Sequence, residues 1–223
     1  MVGYQRAYSA EHKAERLEEI KAAADHLLTT RGLHQVTLAA VAKELGWSRG
    51  NLYRYAQTKE EIFLALYRDH SAAYVHALAD AFAQQSRTYA LPLPVAVFAH
   101  RWAEVTDRHH GYLRYQALLT SVIETNVPVD VLTAFKRDLE EEVQGAVAVV
   151  RRQVPGLGPE AASAAYRALL YHAAALHSHL HGAPTQLQAM EAAGTPLPKG
   201  GLAGELADFV ETYLTGLTQL LPQ

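Results

Sequence analysis

The chain has 223 residues, of which 49% are hydrophobic, with a net charge of −3 and no cysteine. This length allows one good hydrophobic core or two small ones, and the lack of cysteine excludes disulfides, thiolate nucleophiles and cysteine zinc sites. The charge argues against a protein that coats nucleic acid indiscriminately, although basic residues slightly outnumber acidic ones through residue 70. No segment has the apolar run of a signal peptide or a membrane span, so we expect a cytoplasmic protein that does not enter a membrane.

Almost every periodic segment has the helical spacing and none alternates like a half-buried strand, which predicts an all-α fold. The first helix has an apolar stripe of Leu17, Ile20, Ala24 and Leu27 and ends at Gly32. A second helix of barely two turns, 38–45, follows Thr37 as its N-cap and ends at Gly46. Ser48 is the next N-cap and opens a third short helix.

Thr58 followed by Glu61 has the capping-box pattern and predicts a much longer fourth helix, which runs to about Gln85. Later helical segments are predicted at 92–108, 112–124, 128–150, 160–181 and 202–221, with a Gly/Pro-rich connection at 182–201. A helix as long as the fourth leaves a small front domain and enters a second one.

The second and third helices are too short to be stable alone, so they must pack against the first and fourth. Two short helices joined by a tight turn that contains glycine are typical of a helix-turn-helix, whose second helix enters the major groove. The polar face of the third helix is formed by Ser48, Arg49, Gly50, Asn51, Tyr53 and Arg54. Arginine can bind guanine, asparagine can bind adenine, and hydroxyls can reach phosphates.

The stretch RLEEIKAAADHLLTTRGLHQVTLAAVAKELGWSRGNLYRYAQTKEEIF resembles the amino-terminal domain of the TetR family of bacterial transcriptional repressors. The resemblance covers about residues 16 to 65 and follows the family's first helix, G-x-x-x-x-T, I-A-x-x-A-G-V-S, L-Y-x-Y-F and x-K-x-x-L in order. Trp47 stands where the family usually has valine, and Ala56 where it usually has phenylalanine. These departures imply rearranged packing between the third and fourth helices.

The resemblance and the side-chain chemistry together give nine candidate DNA contacts: Thr37, Ser48, Arg49, Gly50, Asn51, Tyr53, Arg54, Tyr55 and Lys59. The resemblance places Thr37, Tyr53, Tyr55 and Lys59 at phosphates, and Arg49, Gly50 and Asn51 near base edges. Either tyrosine has the alternative of packing in the core with its hydroxyl at the surface. The alternative for Lys59 is that it lies at a helix start without contacting DNA. The DNA-binding domain is then predicted at 10–57 and the regulatory and dimerisation domain at 58–223.

The resemblance also implies a homodimer in which the last two helices of each copy pair, so that two recognition helices lie about 34 to 36 Å apart. The segment 161–182 is rich in small residues that let a partner approach closely. The last helix has a broad apolar stripe, formed by Leu202, Leu206, Phe209, Val210, Tyr213, Leu214, Leu217 and Leu221. The alternative is that this stripe only completes the core of one chain.

The family's usual control device is a small-molecule effector, here unidentified, that binds between the middle helices and favours the form unable to bind DNA. Aromatics with a polar group are the candidate lining: Tyr74, Trp102, Tyr112, Tyr115, Tyr166 and Tyr171. The alternative for each of them is that it packs in the hydrophobic core and lines no ligand site. Control by a protein partner or by a metal instead of an organic ligand is the competing hypothesis, and a filled second domain would favour the protein partner.

Four histidines lie close in sequence, at His172, His177, His179 and His181, and the second and fourth have the i, i+4 spacing of a metal pair. We nevertheless expect no metal and no cofactor, because histidines at a helix end suit the helix dipole. His109 and His110 before Gly111 look like another helix end. No nucleophile elbow or phosphate-binding glycine loop occurs, so we expect no enzyme activity. The sequence predicts a dimeric repressor of a near-palindromic operator.

Overall fold

The computed structural model describes residues 2–86, 92–195 and 197–221. Eleven α-helices lie in these ranges: α1 Val2–Arg31, α2 Leu38–Glu44, α3 Arg49–Leu52, α4 Lys59–Ser86, α5 Val95–Asp107, α6 His110–Leu118, α7 Val129–Glu142, α8 Gln144–Gln153, α9 Pro159–Leu180, α10 Pro184–Ala192 and α11 Gly201–Leu220. Short 3-10 turns lie at Leu33–Gln35 and Glu124–Asn126, and a π-helical turn at Leu119–Ile123. The described residues contain no strand, which confirms the all-α fold.

The chain divides by packing into two compact units. The first contains Met1–Arg68 together with Leu119–Leu132, and the second contains Asp69–Leu118 together with Thr133–Gln223. The domain limits 10–57 and 58–223 remain a prediction about where DNA binding and regulation reside. Among the described residues, no helix has the length and apolar character needed to cross a membrane.

Side-chain caps define the short helices of the first unit. The Thr37 hydroxyl oxygen accepts from the Ala40 amide at 3.0 Å, and that of Ser48 from the Asn51 amide at 3.2 Å. Each cap satisfies an amide that the helix leaves without a partner. Between them Gly46 has φ 67, a left-handed conformation that glycine adopts without strain. The caps at α2 and α3 are therefore as predicted.

The predicted capping box at α4 has one difference from expectation. The Thr58 hydroxyl oxygen accepts from the Glu61 amide at 3.2 Å, as the pattern requires. The Glu61 carboxylate accepts in return from the Gln57 amide at 3.1 Å, one residue before the cap. The box therefore fastens the turn after α3 to the start of α4.

Burial of apolar side chains stabilises the short helices. Helix α1 packs against α2, and α2 packs against α3. The side chains that meet there are fully or almost fully buried: Ile20, Ala24, Leu27, Val41, Ala42 and Leu52. Each buried leucine or isoleucine contributes about 1.5 to 3 kcal/mol relative to exposure. This packing stabilises α3, which at four residues would not form in isolation.

In the second unit, α5 packs against α11, and α9 packs against α6, α8 and α11. The predicted helix at 128–150 is interrupted at Val143, so α7 and α8 are separate. The Gln144 side chain donates to the Glu140 carbonyl at 3.1 Å, a group that the next helical turn would otherwise use. The predicted connection at 182–201 contains α10, which begins with Pro184 in the first turn, where proline is tolerated.

Candidate functional site

The polar side chains around α3 lie at the surface. Ser48, Arg49, Gly50 and Arg54 are exposed, and Asn51 is half-buried. By contrast, Leu52 is fully buried and anchors the helix. The helix therefore presents a serine, two arginines and an asparagine outward, with a glycine that lets another backbone approach closely. This set can donate to base edges and to phosphates.

Tyr53 and Tyr55 have different surroundings. Tyr53 is 47% exposed, and its carbonyl accepts from the Gln57 side chain at 2.9 Å. Tyr55 is half-buried, and its ring lies 5.7 Å from that of Trp47. The Arg16 guanidinium lies 5.3 Å from the Trp47 ring centre, at cation–π distance. The Trp47 side chain in the turn is thus covered by Tyr55 and by Arg16 of α1.

Ala56 is 3% exposed, so the position where the family usually has phenylalanine is filled by a small buried side chain. Two aromatic rings that precede it in sequence, Trp47 and Tyr55, contact each other. This contact gives Tyr55 a packing role that Tyr53 does not have. The rearranged packing between α3 and α4 that the two departures imply stays a prediction.

Thr37 and Lys59 lie at the starts of α2 and α4. Thr37 is exposed and its hydroxyl oxygen is used by the cap, but the hydroxyl hydrogen can still donate to a phosphate. Lys59 is half-buried and is the first residue of α4, where amides and the helix dipole also favour an anion. Both positions suit phosphate contact.

Four of the six candidate lining residues form an aromatic cluster in the second unit, made of Tyr74, Trp102, Tyr112 and Tyr166. All four are at most 2% exposed. The rings of Tyr74 and Tyr112 lie 4.8 Å apart, and the two hydroxyls of Tyr112 and Tyr166 lie 3.3 Å apart. The Tyr74 hydroxyl pairs with Thr106 at 3.0 Å, and its burial raises the pKa of Tyr74 well above the usual range. The Tyr74 phenol therefore stays neutral and acts as a hydrogen-bonding group.

Two buried polar atoms near this cluster have no hydrogen-bond partner in the part of the chain that the structure describes. They are the Trp102 indole Nε1 and the Ser71 hydroxyl. Ser71 lies three residues before Tyr74 on α4, so both occupy one face of the helix. A buried donor without a partner costs about 1 to 3 kcal/mol. Such atoms mark a place where a ligand acceptor would gain binding energy.

The other two candidate lining residues differ from each other in burial. Tyr115 is buried and its ring stacks on His70 at 5.5 Å. Tyr171 is 54% exposed on the surface of α9, so it does not line an interior site. Tyr171 lies at the surface because α9 packs with its small residues inward, including Ala173 and Ala174.

A groove of about 560 Å³ lies beside α10 and is lined mainly by apolar side chains, including Leu187, Met190 and Leu197. A smaller one of about 270 Å³ has a charged lining that includes Arg101, Glu104 and Arg108. Only the first has the size and apolar character of a small-molecule site. Neither groove includes a residue of the aromatic cluster.

The apolar stripe of α11 divides into two rows. Leu202, Leu206, Val210 and Leu214 are at most 4% exposed and belong to the core of the second unit. Phe209, Tyr213 and Leu217 are only half-buried. The Phe209 ring stacks on His172 of α9 at 3.6 Å and on Tyr213 at 5.7 Å. Burial lowers the pKa of His172, which keeps this aromatic row uncharged.

The four clustered histidines separate in the structure. His177 and His181 have stacked rings 4.4 Å apart, and His110 of α6 joins them. His172 lies on Phe209, and His179 is exposed. The sequence identified the i, i+4 pair but missed His110, because only the packing of α6 against α9 brings it there.

A capped helix-turn-helix with an exposed polar helix, in a chain whose other unit is helical and contains a buried aromatic cluster, defines an all-helical DNA-binding protein. Residues 20–66 match the bacterial regulatory proteins of the tetR family, and residues 68–219 match the tetracyclin repressor-like C-terminal domain. The chain belongs to the TetR family and is a transcriptional regulator. Regulators of this family are generally DNA-binding proteins without enzyme activity.

Solved structures with the same fold include FadR of Thermus thermophilus, a TetR-family transcriptional repressor in complex with lauroyl-CoA. It is 17% identical with a TM-score of 0.54, over 93% of this chain and 96% of that one. The putative regulatory protein SCO4313 is 22% identical with a TM-score of 0.52, over 94% and 98%. The fatty acid degradation regulator FadR of Bacillus halodurans is 15% identical with a TM-score of 0.51, over 90% and 94%. No curated protein matches the chain.

Proposed function

We propose that the protein is a homodimeric, cytoplasmic repressor that binds a near-palindromic operator and leaves it when a small lipophilic molecule binds. The observation that carries the proposal is the exposed polar surface of α3. This helix begins at the Ser48 cap and is followed by the Thr58 cap of α4. Arg49 and Asn51 contact base edges there. Thr37, Tyr53 and Lys59 contact the phosphates that set the register.

The structure supports different roles for the two tyrosines. Tyr53 is the more exposed, and its ring has no aromatic neighbour among the contacts described, so its hydroxyl can donate to a phosphate. Tyr55 packs on Trp47, so its main role is to hold the turn in place. Arg54 and Ser48 are exposed beside them and add positive charge and a hydroxyl donor to the same surface.

The outer row of α11 supports the homodimer. Phe209, Tyr213 and Leu217 leave apolar area half-exposed beside α9, and Tyr171 of that helix is 54% exposed. Covering this area by the same row of a second copy gives a two-fold interface. A two-fold protein places two recognition helices on successive turns of one DNA face and so requires a near-palindromic site.

The aromatic cluster supports an effector with a long apolar part and a hydrogen-bond acceptor. The cluster rings lie in contact with each other, so an effector that enters between them must separate them. The Trp102 indole then supplies a donor for a carbonyl oxygen. Lauroyl-CoA, the molecule bound to the Thermus thermophilus protein, has both features and is the first compound to test.

We propose that the signal leaves the aromatic cluster along α6. This helix contains Tyr112 of the cluster and runs directly into the turns at 119–126, which belong to the first unit. In that unit Asn126 contacts Glu60 in the first turn of α4. A change at Tyr112 can therefore reach the start of α4 through one short continuous segment. A π-helical turn in this segment is a frequent mark of functional sites in helices.

The test is retention of a DNA fragment from the region upstream of the protein's own gene, measured by gel shift with and without lauroyl-CoA. We expect retention without the compound and release with it. Trp102→Phe keeps the apolar volume but removes the donor, so it should retain DNA with unchanged affinity and need more effector for release. Absence of retention at low salt would refute the repressor hypothesis.

A second candidate is control by a protein partner in place of a small molecule. The closed cluster and the apolar groove beside α10 favour it, because Leu187, Met190 and Leu197 offer an apolar surface that a partner protein could also cover. If no acyl compound releases the DNA and Leu187→Glu abolishes regulation in cells while binding to DNA is intact, this second candidate replaces the first.

A further inference from the structure

Three histidine rings meet where α6 begins and α9 ends. His110 is the first residue of α6, and His177 and His181 occupy the last turn of α9 and its C-cap. One ring nitrogen from each lies within 4.8 Å of the other two. The ring centres lie 5.3 Å apart for His110 and His177, 5.2 Å for His110 and His181, and 4.4 Å for the remaining pair.

The hydrogen bond of His181 fixes which of its nitrogens has a lone pair available for a metal. Its Nδ1 lies 3.0 Å from the His177 carbonyl oxygen, which only accepts, so Nδ1 carries the hydrogen. Nε2 is then the nitrogen with a free lone pair. Metal-binding histidines typically donate their other ring nitrogen to a carbonyl in this way, which orients the ring and raises its basicity.

We propose that His110, His177 and His181 bind one divalent first-row transition metal ion, with Zn²⁺ as the first expectation and a water molecule as the fourth ligand. Imidazole is a ligand that Zn²⁺, Cu²⁺ and Ni²⁺ all accept, and a three-histidine set with an open position is an established zinc arrangement.

The geometry requires a small adjustment that the side chains can make. A tetrahedral ion at about 2.0 to 2.1 Å from each nitrogen needs those nitrogens about 3.4 Å apart. The observed separation of up to 4.8 Å must therefore shrink by rotation of two rings. His110 and His181 are both exposed and have the space to rotate, while His177 is 4% exposed and provides the fixed ligand.

A charged neighbour of the fixed ligand also affects the site. The Arg114 guanidinium interacts electrostatically with His177, and a positive charge nearby weakens the binding of a cation. The site should therefore bind Zn²⁺ more tightly when that charge is removed.

A bound ion would link the start of α6 to the end of α9, both in the second unit. Tyr112 of the aromatic cluster lies two residues after His110 on α6. The ion would therefore also limit movement of α6, the helix that we propose transmits the signal. The metal site itself depends on neither DNA binding nor an organic effector.

The experiment uses the full chain with no histidine tag, treated with chelator and then titrated with Zn²⁺ in competition with a chromophoric chelator. We expect one ion per chain. His110→Ala and His181→Ala should each weaken binding more than about 100-fold, because even partners of ligands affect affinity about 10- to 100-fold. Titration with Co²⁺ should produce the intense visible absorption of a tetrahedral site, and both variants should lose it.

Two further variants distinguish the site from general histidine binding. His179→Ala removes an exposed histidine of the same helix outside the trio and should bind Zn²⁺ as the wild-type chain does. Arg114→Gln should bind it more tightly. Circular dichroism checks that each variant is folded. The proposal is overturned if the alanine variants at 110 and 181 bind Zn²⁺ like the wild type, or if His179→Ala loses as much affinity as they do. DNA retention without effector, measured in parallel, tests the repressor hypothesis separately.

Discussion

The side-chain amide of Asn126 donates to the carboxylate of Glu60, with Nδ2 and Oε2 3.3 Å apart. Glu60 is only 7% exposed although it lies in the first turn of α4. The bond joins the segment at 119–132 to the helix that follows the helix-turn-helix, within one compact unit. The first unit therefore contains a bond between residues that are far apart in sequence.

Asn126→Ala should lower the free energy of unfolding by about 1 kcal/mol, because it removes a hydrogen bond to a largely buried carboxylate. Asn126→Asp should cost more, since it places a second negative charge beside Glu60. Urea denaturation measures both. In a Glu60→Gln background the extra cost of the aspartate should disappear, and if it persists the contact with Glu60 is not its cause.

Tyr53→Phe should weaken binding to specific and unrelated DNA by similar factors, because a phosphate contact carries no sequence information. The slope of log affinity against log salt changes little, since the tyrosine is uncharged. Lys59→Ala should instead reduce that slope by about one. Fluorescence anisotropy over a salt series measures both. A Tyr53→Phe variant that lost affinity only for the operator would contradict the phosphate assignment.

Arg49→Ala should cost about 1 to 3 kcal/mol of operator affinity and relax the preference at one base position in each half-site. The reason is that its exposed guanidinium at the first position of α3 can bind guanine by two hydrogen bonds. Binding to a set of operators with single substitutions tests this. Unchanged preference at every position would show that Arg49 contacts the backbone only.

The sequence predicted the features whose cause lies within a few residues. Thr37, Ser48 and Thr58 cap helices through amides three residues away, so a short pattern contains the whole interaction. The sequence predicted fewer of the contacts whose two residues are far apart along the chain. Trp47 was recognised as unusual, but its contact with Arg16 follows from the packing of α1.

The same reason explains the part of the candidate site that the sequence did not reveal. His110 and the bond from Asn126 to Glu60 depend on helices meeting in space, for which composition and periodicity provide no signal. The interruption at Val143 lies beside a hydrogen bond from the Gln144 side chain to the Glu140 carbonyl, and the apolar period continues through the interruption.

Gly111→Ala should destabilise the second unit, because an added Cβ would lie 2.5 Å from Cε1 of the His70 ring. Real Cβ atoms do not approach so closely, so the ring must move and its stack on Tyr115 is lost. Thermal unfolding should show a lower midpoint. Gly204→Ala is the matched control: it meets nothing within 4 Å in α11 and should stabilise the helix by up to about 1 kcal/mol. A His70→Ala background should remove most of the cost at Gly111.

Tyr213→Glu should convert the dimer to a monomer and reduce operator affinity, because it places a charge in the half-buried outer row of α11 that we propose a second copy covers. Light scattering coupled to gel filtration measures the mass, and anisotropy the affinity. Thr215→Glu adds the same charge at an exposed position two residues further on, which faces away from Tyr213, and should leave both unchanged. If Tyr213→Glu remains a dimer with wild-type affinity, the two copies must meet through another surface, and the outer row of α11 only shields the core of its own chain.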